Sequence, residues 1–198
     1  MDLLLRRRMM MGQSKYEVQT GYTVFGSPTI TDGLMTIPGG MNGIITPLVF
    51  NPGSQVWEIQ TRILYKFTRY TYIFRSCTSE GVGTFSVGMQ MDNGNTMRFI
   101  YSTNGSSWVN NRGVTNTYTL DSWIWIKVGW NGSRYYHKFS LDGVNWTENS
   151  SALATVINQG SYILFGEPES NRYSQSTWDL NNTQISIGGK VRWKAIDA

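Results

Sequence analysis

The sequence predicts an all-β sandwich or barrel, and three observations carry the prediction. First, the 198 residues include 4 Ala against 20 Thr, 15 Ile and 12 Val. Helices favour alanine, whereas pleated sheets favour branched and aromatic side chains. Second, period-two alternation recurs along the chain, most plainly at Gln55–Tyr65. Third, Asp-Gly, Asn-Gly and Pro-Gly pairs interrupt these runs at short, even spacing, which is the pattern of many short strands. Aromatic residues make up 14% and charged residues 15%, the reverse of a disordered composition. The length suits one domain with a core of its own.

Residues 1–15 read as an arm. Leu3, Leu4, Leu5, Arg6, Arg7, Arg8, Met9, Met10 and Met11 form no amphipathic pattern, so the segment is either a frayed end or a peg that orders against a partner. Arg6, Arg7, Arg8 and Lys15 against Asp2 put +3 of the net +4 in this arm. The remaining residues are close to neutral, so the fold itself carries no basic face for nucleic acid.

From Tyr16 to residue 198 one domain is expected. Asp32-Gly33 separates a first run from Leu34–Ile37, which Pro38-Gly39-Gly40 stops. Ile44–Phe50 is a short strand closed by Asn51-Pro52-Gly53. In Gln55–Tyr65, Trp57, Ile59 and Ile63 face inward. Thr71–Ser76 follows, then Thr84–Met91 and Thr96–Ser102 as a hairpin about Asp92-Asn93-Gly94-Asn95. Ser122–Trp130 is apolar on both faces, which places it centrally in a sheet, with Trp123, Trp125 and Ile126 expected in the core. Asn131-Gly132 leads into Arg134–Leu141, and Asp142-Gly143 into Asn145–Thr147. Ser150–Gln159 reads as a helical turn or a loop. Ser161–Phe165 is a buried strand and Gly166–Ser176 a polar loop. Thr177–Ile187 and Lys190–Ala195 are the last strands, joined at Gly188-Gly189. No internal repeat is apparent at this level.

Cys77 is the only cysteine, so neither an intramolecular disulfide nor a cysteine zinc site can form. The opening leucines precede the arginines, the wrong order for a secretory leader, and no run has the length of a membrane span. Synthesis in a cytosol is the expectation. Five Asn-x-Ser/Thr triplets, at Asn104, Asn131, Asn145, Asn149 and Asn181, are then incidental.

The last third of the chain resembles a known superfamily. Asp121-Ser-Trp-Ile-Trp-Ile-Lys-Val-Gly-Trp130, the Asp-Gly hairpin Phe139-Ser-Leu-Asp-Gly-Val-Asn-Trp146, Tyr162-Ile-Leu-Phe-Gly166 and the ending Thr177–Trp193 are similar to the concanavalin A-like lectin/glucanase (LamG-like) jelly rolls. The resemblance covers about residues 55–195 and is nearest to phage and prophage members. It implies a two-sheet antiparallel jelly roll over residues 16–198. The arm also resembles the Leu/Arg/Met-rich starts of structural proteins of tailed phages.

The glucanase branch takes two carboxylates from one strand. Here Glu58 is followed by Gln60 and Arg62, and Glu167 and Glu169 flank Pro168 in a loop, where they read as solvated charges. No catalytic residues are therefore assigned. His137, the only histidine, reads as a half-exposed strand residue without a relay partner. No cofactor is assigned. Calcium has a single candidate, Asp92-Asn93-Gly94-Asn95, whose residues also suit a turn.

Trp57, Trp123, Trp125 and Trp178 read as core, while Trp108, Tyr135, Tyr136, Trp146 and Tyr173 sit near turns or hairpin ends. Such rings either stack on sugars or pack against loops and neighbouring subunits. The expected function is a non-catalytic phage virion protein displaying a lectin-like jelly roll on a capsid or tail. Its arm would hold other virion proteins and its loops would touch either the next subunit or a host-surface glycan, in a homo-oligomer with a trimer first. The alternative is a free bacterial lectin or glycoside hydrolase of the same fold.

Overall fold

The computed structural model describes residues 18–66, 71–78, 83–91, 96–115, 121–150, 160–167 and 176–196. The arm, the calcium candidate at 92–95, the segment 151–159 and Tyr173 lie outside the described residues. The strands in chain order are β1 (Gln19–Thr20), β2 (Thr23–Phe25), β3 (Thr29–Thr31), β4 (Leu34–Thr36), β5 (Asn42–Ile45), β6 (Trp57–Tyr65), β7 (Thr71–Cys77) and β8 (Gly83–Met91). They continue with β9 (Thr96–Tyr101), β10 (Val109–Thr115), β11 (Ser122–Trp130), β12 (Tyr135–Ser140), β13 (Thr147–Ser150), β14 (Tyr162–Glu167), β15 (Thr177–Ile187) and β16 (Lys190–Lys194).

These strands form the expected two-sheet sandwich. One sheet has nine strands, in the order β1-β16-β15-β6-β11-β12-β13, with β4 paired to β15 and β3 to β4. The other has seven, β10-β9-β8-β7-β14-β5-β2. All pairings are antiparallel except β1 on β16. β10, with its Asn-Asn-Arg-Gly centre, escaped the sequence reading because those residues are poor strand formers; it is an edge strand, where propensity matters least.

The core lies between the sheets and is rich in rings that bridge them. Tyr135 of β12 stacks on Tyr101 of β9, with centroids 5.0 Å apart, and lies 5.8 Å from Phe99. Phe165 of β14 stacks on Trp193 of β16 at 5.6 Å. Trp178 of β15 is fully buried, and its indole Nε1 donates to the Ile73 carbonyl of β7 at 3.0 Å. That bond ties one sheet to the other while satisfying a polar atom that burial would otherwise penalise.

β11 is central, between β6 and β12, as expected, but the assignment of its two faces is corrected. Ile124, Ile126 and Val128 are fully buried in the core, whereas Trp123 and Trp125 are half-buried on the outer face. Both sets are apolar, so alternation alone cannot choose between them. The neighbour decides: Trp125 pairs with Arg62, Lys127 with Gln60 and Gly129 with Glu58. A row containing Arg62, Gln60 and Glu58 belongs in water. Arg62 stacks across both indoles, 4.6 Å from the Trp123 ring and 5.3 Å from the Trp125 ring.

Trp178→Ala should therefore cost about 3–5 kcal/mol, the range for a large ring removed from a core. Trp125→Ala should cost less than half as much, since its ring is replaced in part by water and Arg62. Urea unfolding followed by fluorescence compares the two; equal losses would contradict this assignment of faces.

Candidate functional site

The outer face of the nine-stranded sheet carries a cluster of charged and aromatic side chains. Three cross-strand rows organise it. In the first, Tyr136 of β12, Gly129 of β11, Glu58 of β6 and Ser186 of β15 lie side by side. A Cβ on Gly129 would collide with the Tyr136 hydroxyl and the Trp57 carbonyl. The missing side chain lets Tyr136 lie across the central strand and donate to Glu58 Oε2 at 2.8 Å. The second row holds Lys138, Lys127, Gln60 and Gln184, and the third Ser140, Trp125, Arg62 and Asp179.

The charges on this face are paired between neighbouring strands. Lys127 Nζ lies 3.1 Å from Glu58 Oε1, Lys138 Nζ lies 3.5 Å from Glu148, and Arg62 lies 3.2 Å from Asp179 Oδ2. Lys127 also sits 4.8 Å from the Trp146 ring and Lys138 4.6 Å from the Tyr136 ring. Glu58 thus holds one partner on each oxygen, and each oxygen keeps a second lone pair for an incoming hydroxyl. Burial first, and the Glu58 carboxylate second, push the Tyr136 phenol well above its ordinary range, so it stays a neutral donor.

Beside the first row opens a cavity of about 390 Å³, lined by Val56, Glu58, Trp130, Asn131, Tyr136 and Ser186. Apolar walls with a few converging polar groups are the usual make-up of a small-molecule site. The Asp142 turn closes the far end of the face. Its Oδ1 accepts from the backbone N–H of Val144 and Asn145, both at 2.8 Å, and these bonds with those from the Asn145 and Ser140 side chains hold the carboxyl well below its usual range. That turn is held by its own hydrogen bonds, with Oδ1 engaged by three donors.

Of the five aromatic residues singled out by sequence, the structure describes four and separates them. Tyr136 and Trp146 come together around Lys127 and Glu58. Tyr135 is not at the surface: it is 1% exposed and packs in the core. Tyr136 is itself only 8% exposed, its ring lying flat over Gly129. Trp108 is half-buried on the other sheet, 5.4 Å from the Arg75 guanidinium. Glu58, Lys127 and Arg62 were not among the binding residues expected from sequence; they meet only through the pairing of β6 with β11, which no local sequence pattern encodes.

Two titratable residues need correction. Glu167 is not a solvated loop charge: β14 extends through it, and it is fully buried, accepting from Tyr72 N at 3.2 Å and Thr71 Oγ1 at 3.3 Å. His137 is not half-exposed: it shares the inward face of β12 with Tyr135, is 2% exposed, and its Nδ1 has no hydrogen-bond partner among the described residues. Burial lowers its imidazole from 6.5 to about 4. Among the described residues, no group of three or more His, Cys, Asp or Glu could hold a metal ion.

No protein-family profile matches the chain, and no curated sequence matches it. Solved structures do match in fold. The receptor binding domain of botulinum neurotoxin C/D mosaic serotype aligns at a TM-score of 0.62 and 12% identity, over 90% of this chain and 45% of that one. The Trypanosoma rangeli sialidase aligns at 0.59 and 11% identity, over 88% of this chain and 30% of that one. The enzymatically active domain of bacteriophage CBA120 tailspike protein 2 aligns at 0.59 and 8% identity, over 94% and 34%. The chain thus spans less than half the length of each of these three proteins, and the likeness is one of fold: a jelly-roll β-sandwich.

The buried histidine generates a pH prediction. Between about pH 6.5 and pH 4 the unfolded chain binds a proton that folded His137 refuses. Stability is therefore full above this window and falls as pH drops through it, by on the order of 3 kcal/mol for a shift of this size. Urea unfolding of the wild type should weaken more between pH 7 and pH 4.5 than that of His137→Leu. Parallel losses in the two proteins would show that His137 is not the group responsible.

Proposed function

We propose that this chain is a non-catalytic virion protein of a phage, whose jelly roll binds a host-surface glycan through the outer face of its nine-stranded sheet. The observation that carries the reading is the Tyr136–Gly129–Glu58 row beside the cavity. A carboxylate held by a lysine and a tyrosine is fixed in place and accepts adjacent sugar hydroxyls. Trp130 and Val56 give a pyranose ring an apolar wall, and the half-exposed Trp146 flanks the site. Because Glu58 presents acceptors, the site favours a neutral sugar over an acidic one. The likeness in fold to a phage tailspike and to a neurotoxin receptor binding domain supports a role in surface attachment.

Catalysis is not part of the reading. Both Glu58 oxygens are already engaged by Lys127 and Tyr136, and its strand offers no second acid, since Gln60 and Arg62 follow on the same face. Residues 1–15 attach the domain to other virion proteins, as their apolar and basic composition suits a peg. Repeating that peg in a homo-oligomer, with a trimer as the simplest case, adds avidity without enlarging any one contact.

The test is a binding screen of the purified protein against bacterial surface polysaccharides, with reducing-sugar assays on the same mixtures. Binding to a glycan containing neutral sugars is expected, weakened at least about tenfold in Glu58→Ala, which is 1.4 kcal/mol, with no sugar released. Absence of any glycan bound, or Glu58-dependent release of reducing sugar, would overturn the reading. Deleting residues 1–15 should leave glycan binding intact and remove the protein from assembled particles; full occupancy by the truncated chain would refute the peg.

A further inference from the structure

The cavity beside Glu58 lies at one end of the nine-stranded sheet, and its polar groups form a pattern. Val56 and Glu58 stand two positions apart at the start of β6, and Gly129 and Asn131 two positions apart at the end of β11. Gly129 pairs with Glu58, and the ladder closes at Trp130 with Trp57, which brings Asn131 and Val56 together just past its end. The space over Gly129 is filled by Tyr136. Three side chains are thus left to meet a ligand: a carboxylate, an amide and an apolar valine, all on the cavity wall.

Asn131 is held by its own turn. Its Oδ1 accepts from Ser133 N at 3.0 Å, from Ser133 Oγ at 2.9 Å and from Arg134 N at 3.0 Å. Three donors on one oxygen decide which end of the amide is which and keep the group still. Nδ2, the other branch, carries two N–H groups and has no acceptor among the described residues. Asn131 is exposed, so these N–H groups are within reach of a ligand. Glu58 is the complement: an acceptor only, fixed by Lys127 and Tyr136, with a second lone pair on each oxygen. Val56 is 39% exposed and lies against the same turn, since a Cβ on Gly132 would come within 3.7 Å of its Cγ1.

A fixed donor, a fixed acceptor and an apolar contact match the three parts of an acetamido group. In a trans amide the N–H and the carbonyl point in opposite directions, and the methyl lies on the N–H side. Here the acceptor and the apolar contact both belong to the β6 segment, and the donor stands across from them at the end of β11. An amide bonded at both ends separates its partners by about 8 Å, two hydrogen bonds and its own width. Diagonal neighbours on adjacent strands stand about 7–8 Å apart. A plain hydroxyl in the same place reaches only one of the two polar groups and leaves the valine uncovered.

We propose that this cavity selects an N-acetylated hexosamine. The acetamido N–H donates to Glu58, its carbonyl accepts from Asn131 Nδ2, and its methyl packs on Val56. The selection rests on the glycan-binding reading of the site and narrows its neutral sugar to an N-acetylated one.

The experiment titrates the full-length 15N-labelled protein with N-acetylglucosamine and N-acetylgalactosamine, and with glucose, galactose and glucosamine, at millimolar concentration. Saturation transfer to each sugar gives its affinity, and the Asn131 side-chain NH2 signals, identified by their loss in Asn131→Asp, report the site. At least one N-acetyl sugar should move those signals and bind at least about tenfold more tightly than its parent hexose. Asn131→Asp keeps an oxygen for the Ser133 and Arg134 bonds and removes the donor, so it should abolish the preference. Val56→Thr, close in shape but polar, should reduce it, and carries the test if Asn131→Asp lowers the unfolding midpoint. A parent hexose that binds as tightly as its N-acetyl form overturns the selection and leaves the glycan reading standing. A preference that survives both substitutions does the same. Silence towards every sugar also overturns the selection, and the polysaccharide screen then decides the reading by itself: a bound polysaccharide keeps it, and none bound ends both.

Discussion

The alternation of β11 is the constraint on which the rest depends. One nine-residue strand turns Ile124, Ile126 and Val128 into the core and Trp123, Trp125, Lys127 and Gly129 out onto the sheet. Slipping its register by one residue would exchange the two sets, burying Lys127 and exposing three branched side chains. Burial of each of those inward side chains is worth about 1.5–3 kcal/mol, so the core fixes the register firmly. The outer face inherits that precision: Gly129 stands opposite both Tyr136 and Glu58 because Val128 is held inside.

This coupling explains why the Tyr136–Glu58 pair lies on strands and not on loops. Tyr136 and Glu58 are 78 positions apart in the chain and two strands apart in the sheet. Loop residues at that separation would lose considerable freedom to meet. Here the ladder hydrogen bonds have already fixed them, and the tyrosine needs only the gap over Gly129 to reach its acceptor. A carboxylate placed in this way keeps its geometry when a ligand arrives, which lowers the ordering cost of binding.

Much of the architecture was legible in the sequence, and the failures share a cause. The strands at 57–65, 71–77, 122–130 and 177–187 stand out because β-branched and aromatic residues alternate between strong turn signals. Trp178 was rightly placed inside, whereas Trp125 was not. Alternation tells that two faces exist; it identifies the outer one only when polar residues mark it, and in β11 the single charged mark, Lys127, is decisive only beside Arg62, Gln60 and Glu58 of β6. His137 was misread for a similar reason: its polarity suggested water, but its parity with Tyr135 put it inside. Glu167 looked like a loop charge because Gly166 and Pro168 flank it, and only the extension of β14 and the donors on Thr71 and Tyr72 account for its burial. Of the candidate aromatic residues, Tyr136 and Trp146 meet because pairing between distant strands brings Glu58 and Lys127 to them, and no local pattern encodes such pairing.

The central claim is that the hydroxyl of Tyr136 holds Glu58 in position to bind a sugar. Tyr136→Phe removes that single oxygen and leaves the ring over Gly129. Isothermal titration of the glycan bound by the wild type, together with thermal unfolding of both proteins, measures the effect. The account predicts at least about tenfold weaker binding with a nearly unchanged unfolding midpoint. Equal affinity in the two proteins would contradict it.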